Sequence, residues 1–253
     1  MKIGIVGAMM EEIALLKEEM KEVSVKKIGD REYYTGKLYG IDTTLVFSRW
    51  GKVASASTAT TLIDIFNIDC LIFTGVAGAT SKVLNIGDIV IGEKLYQHDM
   101  DARPIFKQHE IPLTGTIYFE ADKKLLEGAK KAADDFLQKG IHLILKKETL
   151  QKFTIDQPKA VIGILASGDL FVDERAKTDA ILLDNPQVSA VEMEGAAVAQ
   201  VCHEHKKPFV VVRTISDKAD HSAAIDFQKF VTEVAKYYSK GIVENIYKNT
   251  FSM

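Results

Sequence analysis

Leu71-Ile72-Phe73-Thr74-Gly75-Val76-Ala77-Gly78 is a short apolar run that ends in small residues. A run of this kind, bounded by glycine, is typical of a strand buried on both faces of a sheet. Similar runs recur along the chain at residues 3–6, 44–47, 89–91, 161–165 and 209–212. The sequence therefore predicts a mainly parallel central sheet.

The stretches between these runs space their apolar residues as helices do. This pattern covers residues 11–22, 53–66, 123–139, 195–204 and 226–247. The most polar stretch, residues 146–159, is predicted as a surface loop between two strands. Because strands and helices alternate without a linker or a repeat, and 47% of the residues are hydrophobic, we expect one α/β domain over residues 1–253.

The charge balance favours a small-molecule partner. The chain has 32 basic and 35 acidic residues, well mixed, and a net charge of -3, so nothing indicates binding to nucleic acid or to an anionic membrane. Cys70 and Cys202 lie in separate apolar stretches without metal-ligand spacing, which indicates reduced core thiols and a cytoplasmic location. The first apolar run is interrupted by Glu11 and Glu12 and is too short for a signal sequence or a membrane span.

The candidate functional residues follow the predicted strands. In open α/β sheets, ligands bind beyond the carboxyl ends of the strands, so these residues are expected to meet at one edge. Small residues, carboxylates and one arginine collect there, in Gly7-Ala8-Met9-Met10-Glu11-Glu12, Thr74-Gly75-Val76-Ala77-Gly78, Ser167-Gly168-Asp169 and Arg213-Thr214-Ile215-Ser216-Asp217.

The carboxylates of this edge each allow a structural interpretation beside a functional one. Glu192 and Glu194 stand among small apolar residues, where they indicate either recognition of a ribose diol or an ordinary acidic helix start. Arg213 and Asp217 fit a structural ion pair as well as catalysis. Glu12 fits a solvated acid in the first turn of a helix. Taken singly, these positions leave both interpretations open.

Several other chemistries lack their sequence signatures. Gly4-Ile5-Val6-Gly7 and Gly75-Val76-Ala77-Gly78 have a glycine too few for a dinucleotide fingerprint, and no Walker A loop, G-x-S-x-G elbow or H-E-x-x-H helix is present. His98 with Asp99 and Asp101 is the one cluster that resembles a metal site, and the pair at His203 and His205 is weak. We expect no metal.

Five segments, in the same order and at similar spacing, resemble the signatures of methylthioadenosine/S-adenosylhomocysteine nucleosidases. They are IGIVGAMMEE (3–12), TGVAGA (74–79), ASGDLFV (166–172), VEMEGAAVAQVCH (191–203) and VVVRTISD (210–217). The resemblance covers nearly the whole chain and implies a nucleoside phosphorylase-like fold, a three-layer α/β/α sandwich with a mixed, partly barrel-like sheet. It also implies hydrolysis of the adenine–ribose bond, methionine salvage, no metal or organic cofactor, and a homodimer.

The resemblance implies a role for each matching residue. Glu12 would be the general base that activates water, and Asp217, oriented by Ser216, the general acid that protonates adenine N7. The remaining substrate contacts would come from Glu194, Met193 and Arg213 at the ribose, from Phe171 and the backbone of Val172 at adenine, and from Met9, Val76 and Phe227 elsewhere in the pocket.

The 5′ end of the substrate is where this chain departs from the commoner family pattern. Trp50 stands where a small aliphatic residue is usual, and Val76 where serine is frequent. Trp50 is expected either to line the 5′ pocket or to pack at the subunit interface. In the expected homodimer, residues 98–112 of one subunit cap the pocket of the other, notably through Ala102, Ile105 and Pro112.

Two rival functions share this fold. A phosphorylase needs cationic phosphate ligands, and Phe73 stands where hexameric phosphorylases typically have an arginine, while a carboxylate at Glu12 would repel phosphate. A non-catalytic nucleoside-binding or adhesion protein would have lost Glu12 or Asp217, and both are present. The residues therefore favour hydrolysis.

Overall fold

The computed structural model describes residues 1–251, in which one mixed sheet is flanked by helices. Its strands are β1 (Lys2–Gly7), β2 (Lys21–Ile28), β3 (Arg31–Leu38), β4 (Ile41–Phe47), β5 (Cys70–Ala79), β6 (Ile89–Gln97), β7 (Phe119–Glu120), β8 (Ala160–Ser167), β9 (Val188–Glu192) and β10 (Phe209–Asp217). Its helices are α1 (Met10–Glu19), α2 (Lys52–Asp64), α3 (Lys123–Asp135), α4 (Ile141–Ile144), α5 (Lys147–Lys152), α6 (Arg175–Asp184), α7 (Gly195–Glu204), α8 (Ala223–Phe230) and α9 (Lys236–Ile246). Wider π turns, Phe136–Gly140, Val231–Ala235 and Tyr247–Phe251, extend α3, α8 and α9.

Five strands of the sheet close into a ring. β5 pairs with β10, β10 with β6, β6 with β8, β8 with β9, and β9 returns to β5. The last contact is short and joins Gly78 to Val191 and Ala79 to Ala190. On its other side β5 pairs with β1, which continues into β4, β3 and β2. The central sheet is thus a small barrel with an open four-stranded extension.

The alternation of side chains along the strands creates two hydrophobic layers. Ile3 and Ile5 of β1 pack in one core together with residues of α1, α3 and α9. Val6 of β1 faces the opposite side, in a core shared with α2 and α7. Because successive residues of a strand point to opposite faces, one strand supplies both cores. The resulting three layers match the expected α/β/α sandwich.

All six apolar runs predicted as strands form strands. The prediction of a mainly parallel sheet holds among these six strands, whose pairings are parallel except for β10 with β6. The sheet as a whole is mixed, because the strands outside the prediction add the antiparallel pairings of β5 with β9 and of β2 with β3 with β4. Apolar runs identify buried strands but do not encode their direction, which the connections decide. The mixed sheet implied by the resemblance is confirmed.

Two local predictions from periodicity also need correction. The helix expected over residues 11–22 ends at Glu19, and β2 begins at Lys21 as an edge strand paired with β3. The polar stretch 146–159 is not a plain surface loop between strands: it follows α4, contains α5, and buries Leu150, Phe153 and Ile155 in the core. These apolar residues anchor the stretch in the core, whereas the lysines around them give it the polar composition of a surface loop.

Cys70 and Cys202 are buried and form no disulfide. Within residues 1–251, no helix is both long enough and apolar enough to cross a membrane.

Candidate active site

A cleft of about 560 Å³, including its open mouth, lies at the carboxyl ends of the strands. It is built from the start of α1, the ends of β5 and β10, the loop after β8, the junction of β9 with α7, and α8. Its lining consists of Ala8, Met9, Glu12, Trp50, Val76, Ala77, Gly78, Leu170, Phe171, Val172, Val191, Glu192, Met193, Glu194, Arg213, Ser216, Asp217 and Phe227.

Glu12 is a buried carboxyl group turned back over the start of its own helix. Its Oε2 accepts hydrogen bonds from the backbone N–H groups of Ala8 (2.6 Å) and Met9 (3.0 Å), and its Oε1 accepts one from Val76 N (3.1 Å). Burial raises the pKa of Glu12 to about 7, against the opposing effects of the Arg213 charge and these hydrogen bonds. With 1% of its surface exposed, Glu12 is not the solvated first-turn acid that its position allowed.

Asp217 ends β10 at the same cleft. The pairing of β10 with β5 shifts register between residues 215 and 217, an irregularity that changes where the last side chain points. Asp217 accepts hydrogen bonds from Ser216 Oγ (2.8 Å) and Ala219 N (2.9 Å), and burial raises its pKa to about 6. A Cβ on Gly78 would lie 2.8 Å from Asp217 Oδ1, so the glycine makes room for the carboxyl group.

Arg213 pairs with Glu192 and not with Asp217. Its Nη2 and Nε donate to Glu192 Oε2 at 2.6 and 3.2 Å, and both side chains are almost completely buried. The structural interpretation of an Arg213–Asp217 ion pair is therefore wrong. The guanidinium also lies over the ring of Phe73, 4.0 Å from its centroid.

Glu194 stands at the start of α7 with its two oxygens in different situations. Oε1 accepts a hydrogen bond from Gly51 N (2.9 Å), whereas Oε2 lies 3.8 Å from Arg213 Nη2. Burial and the neighbouring charge of Glu192 raise the pKa of Glu194 to about 8, and Arg213 opposes this shift.

Aromatic rings form one wall of the cleft. Phe227 meets Trp50 edge-on, with centroids 5.5 Å apart, and Phe171 edge-on at 5.6 Å. Trp50 remains half exposed at 49%, whereas Val172 is buried beside the wall. The wall offers flat apolar faces suited to a planar ring or an apolar substituent.

The cleft brings together most of the residues that the resemblance implied. These are Met9, Glu12, Trp50, Val76, Phe171, Val172, Met193, Glu194, Arg213, Ser216, Asp217 and Phe227. Ala102, Ile105 and Pro112 do not line it, and Ile105 is 81% exposed.

Two polar residues of the site, Glu192 and Ser167, were not given their roles from the sequence. Glu192 was predicted only together with Glu194, as one of two carboxylates in the V-E-M-E pattern, and was given no role of its own. Ser167, whose Oγ donates to Glu192 Oε1, was visible only as a small residue at a strand end. The fold is needed to reveal that β8 and β9 run side by side and bring the two together.

The residues that resembled a metal site do not converge. Asp99 pairs with Lys52 at 2.6 Å, and Asp101 pairs with Arg103. Across residues 1–251, no group of three or more His, Cys, Asp or Glu side chains is arranged to hold a metal ion.

The sequence-family model of the phosphorylase superfamily matches residues 2–247 of this chain. The 5′-methylthioadenosine/S-adenosylhomocysteine nucleosidase of Psychromonas ingrahamii is 36% identical over 253 residues, which cover 98% of this chain and 99% of that one. This chain belongs to that nucleosidase family. The crystal structure of a family member from Neisseria meningitidis, in complex with methylthio-immucillin-A, is 35% identical, covers 98% of both chains and superposes with a TM-score of 0.85. Futalosine hydrolase of Helicobacter pylori is also similar, with 31% identity, 98% coverage of both chains and a TM-score of 0.82.

Proposed function

We propose that this chain, acting as a single domain, hydrolyses the N-glycosidic bond of 5′-methylthioadenosine and S-adenosylhomocysteine and releases adenine and the 5′-substituted ribose. The observation that carries the proposal is the pair of buried carboxyl groups, Glu12 and Asp217, at one cleft, with pKa values raised by burial to about 7 and about 6. General acids and bases act best when their pKa lies near the working pH.

Asp217 supplies the proton that adenine needs to leave. Adenine is a poor leaving group as an anion, so protonation of its N7 lowers the barrier to bond cleavage. Ser216 Oγ and Ala219 N hold the carboxyl group in place. We assign the aromatic faces of Phe171 and Phe227 to the adenine side of the cleft.

Glu12 takes the proton of the attacking water. Its carboxylate is held by three backbone N–H groups, which fix its orientation without a mobile partner. The ribose becomes cationic as the bond breaks, and the carboxylates of this region stabilise that charge. We assign Glu194 Oε2, which lines the cleft 3.8 Å from Arg213 Nη2, to accept a hydrogen bond from a ribose hydroxyl, and Met193 to pack on the sugar.

Water, and not phosphate, is the proposed nucleophile. Arg213 is the one basic side chain among the described residues that line the cleft, and Glu192 already neutralises it. Phe73, where a phosphate-binding arginine would stand in hexameric phosphorylases, lies buried beneath Arg213. Bringing a phosphate dianion beside Glu12 would add repulsion that no further cation offsets.

We further propose a cytoplasmic homodimer that acts in methionine salvage. Residues 98–112 lie outside the cleft and present Ile105 to solvent. In the dimer this segment would cover the partner's pocket at the 5′ substituent, with Trp50 and Met9 on the other side. The two free buried cysteines are consistent with a reducing compartment.

Adenine release from 5′-methylthioadenosine, measured with and without phosphate, tests the proposal. Hydrolysis predicts the same rate in both conditions and free 5-methylthioribose as the product. A requirement for phosphate would overturn it in favour of phosphorolysis, and absence of any turnover would favour a binding protein. The panel includes S-adenosylhomocysteine, 5′-deoxyadenosine and aminodeoxyfutalosine, because futalosine hydrolase has the same fold.

A further inference from the structure

Glu192 and Glu194 both lie near Nη2 of Arg213, but their contacts differ. Glu192 receives both Nε and Nη2 of the guanidinium, whereas Glu194 Oε2 stays 3.8 Å from Nη2. We propose that Glu192 is a positioning residue: it holds Arg213 in one orientation, so that Nη1 faces Glu12 and Glu194 stays free for the ribose. This inference rests on the proposed nucleosidase function.

The hydrogen bonds of Glu192 are made within the protein, and most of them converge on one oxygen. Its Oε2 accepts hydrogen bonds from Arg213, from Gly195 N (2.7 Å) and from Glu194 N (3.2 Å), and its Oε1 accepts one from Ser167 Oγ. Each carboxylate oxygen offers about two lone-pair positions, so the four donors on Oε2, which include Arg213 Nε, saturate that oxygen, while Oε1 has one bond to Ser167. We therefore assign the ribose hydroxyls to Glu194, whose Oε2 has no hydrogen bond from the described residues.

Two elements fix Glu192 in place. Ser167 at the end of β8 donates to Glu192, and its Oγ accepts a hydrogen bond from Ala196 N of α7 (2.7 Å). Glu192 also lies against the free N–H groups at the start of α7, where a negative charge is favoured. The serine bridges strand and helix, so the carboxylate cannot rotate without breaking bonds on both sides.

This arrangement fixes the plane of the Arg213 guanidinium and leaves its Nη1 edge without a contact to Glu192. Phe73 supports one face of the guanidinium, and Glu192 takes Nε and Nη2. The remaining Nη1 is buried and has no hydrogen-bond partner among the described residues. A Cβ on Gly75 would lie 2.7 Å from both Arg213 Nη1 and Glu12 Oε1, so these two atoms border the same small space.

Removal of the Glu192 charge has an electrostatic consequence for Glu12. The Arg213 charge lowers the pKa of Glu12, and the adjacent carboxylate of Glu192 offsets that charge. In Glu192→Gln the guanidinium acts on Glu12 without this compensation. Glu12 then ionises at lower pH, and the pH optimum, which lies between the pKa values of Glu12 and Asp217, moves down with it.

The test compares Glu192→Gln, Glu192→Asp and Ser167→Ala with Glu233→Gln, at a carboxylate that is ion-paired with Lys152 and does not line the cleft. Each variant is assayed for adenine release from 5′-methylthioadenosine at pH 5–9, and its thermal melt is recorded. Glu192→Gln is expected to lose at least tenfold in kcat with KM within threefold, and its pH optimum to move down by about a quarter of a pH unit or more, half of the change in the Glu12 pKa. Glu192→Asp and Ser167→Ala loosen the hold on Arg213 but keep the charge. In these two variants kcat falls at least threefold while the pH optimum stays in place. Glu233→Gln behaves as wild type.

Wild-type kcat and an unmoved pH optimum in folded Glu192→Gln would overturn the inference. If that variant does not fold, unchanged kcat in both Glu192→Asp and Ser167→Ala would overturn it. A wild-type protein without adenine release refutes the proposed function itself, so the two failures are distinguishable.

Discussion

Trp50 stands edge-on to Phe227 across the mouth of the cleft, with ring centroids 5.5 Å apart and planes at 86°. The indole is therefore a wall of the pocket, although half of its surface remains open to solvent. Its exposed part is available to a ligand's 5′ group, to a partner subunit, or to both.

Trp50→Ala is expected to raise KM for 5′-methylthioadenosine about fivefold, because about 1 kcal/mol of apolar contact is lost. The kcat value should change less, since the ring is remote from the bond that breaks. The ratio of kcat/KM between 5′-methylthioadenosine and S-adenosylhomocysteine should also shift, and Trp50→Phe should lie between the two proteins. Equal changes of KM for both substrates and for 5′-deoxyadenosine would show that Trp50 packs against other residues and does not contact the 5′ group.

Asp217→Asn and Glu12→Gln are each expected to reduce turnover by about 10² to 10⁴, the usual contribution of general acid or base catalysis. Both replacements keep the shape of the side chain and remove only its ability to transfer a proton. Steady-state adenine release measures the effect, and thermal melts identify any variant that is merely unstable. A loss below tenfold in a well-folded variant contradicts its assignment.

The pH profile of kcat/KM should be a narrow bell. Activity rises as Glu12, whose pKa burial raises to about 7, loses its proton, and it falls as Asp217, whose pKa burial raises to about 6, loses its own. The maximum is therefore expected near pH 6.5, between the two values, where the combination of an ionised base and a protonated acid is most populated. An activity plateau from pH 7 to 9 is incompatible with this pair.

Stability should decrease as the pH rises above 5. Burial and the Glu192 charge raise the pKa of Glu194 to about 8, whereas the unfolded chain has the ordinary carboxyl value of 4.5. The folded state therefore retains a proton that the unfolded chain releases, and this stabilisation is fully present below about pH 4.5 and is lost as the pH rises through about 8. The slope is up to about 1.4 kcal/mol per pH unit for each such group.

Glu194→Gln stays neutral at every pH and separates this contribution from the others. Urea unfolding from pH 5 to 9 should show a smaller decrease in the free energy of unfolding for the variant than for wild type. Parallel decreases in the two proteins would show that Glu194 does not hold a proton in the folded state.

Ile105→Asp should weaken the proposed dimer and raise KM, because a charge on this exposed residue would be buried at the partner's pocket. Leu143→Asp, at a residue that is 83% exposed and outside the segment 98–112, serves as the control. Light scattering and adenine release are measured on the same samples. Full activity of a protein that is monomeric at working concentrations would contradict the exchange of this segment.

The sequence predicted the buried strands and the strand-end residues because both depend on local patterns. Glu12 and Asp217 could be named from their motifs, which follow β1 and complete β10. The ion-pair partner of Arg213 could not be named from the sequence. Asp217 is nearer in sequence, and only the order of the strands brings Glu192 to the guanidinium. β2 was missed for a different reason: Val23 and Val25 are exposed on an edge strand, so burial does not shape its pattern.

The ring of five strands also has a consequence for biosynthesis. β10 completes the ring between β5 and β6, where Val210 lies beside Ile72, yet it is the last of the ring's strands to leave the ribosome. A nascent chain that stops before it can carry Glu12 and Glu194 but not Arg213 or Asp217. The closure of such a long loop comes late because its entropic cost precedes the contacts that reward it. Adenine release would therefore report on completed synthesis and ring closure together.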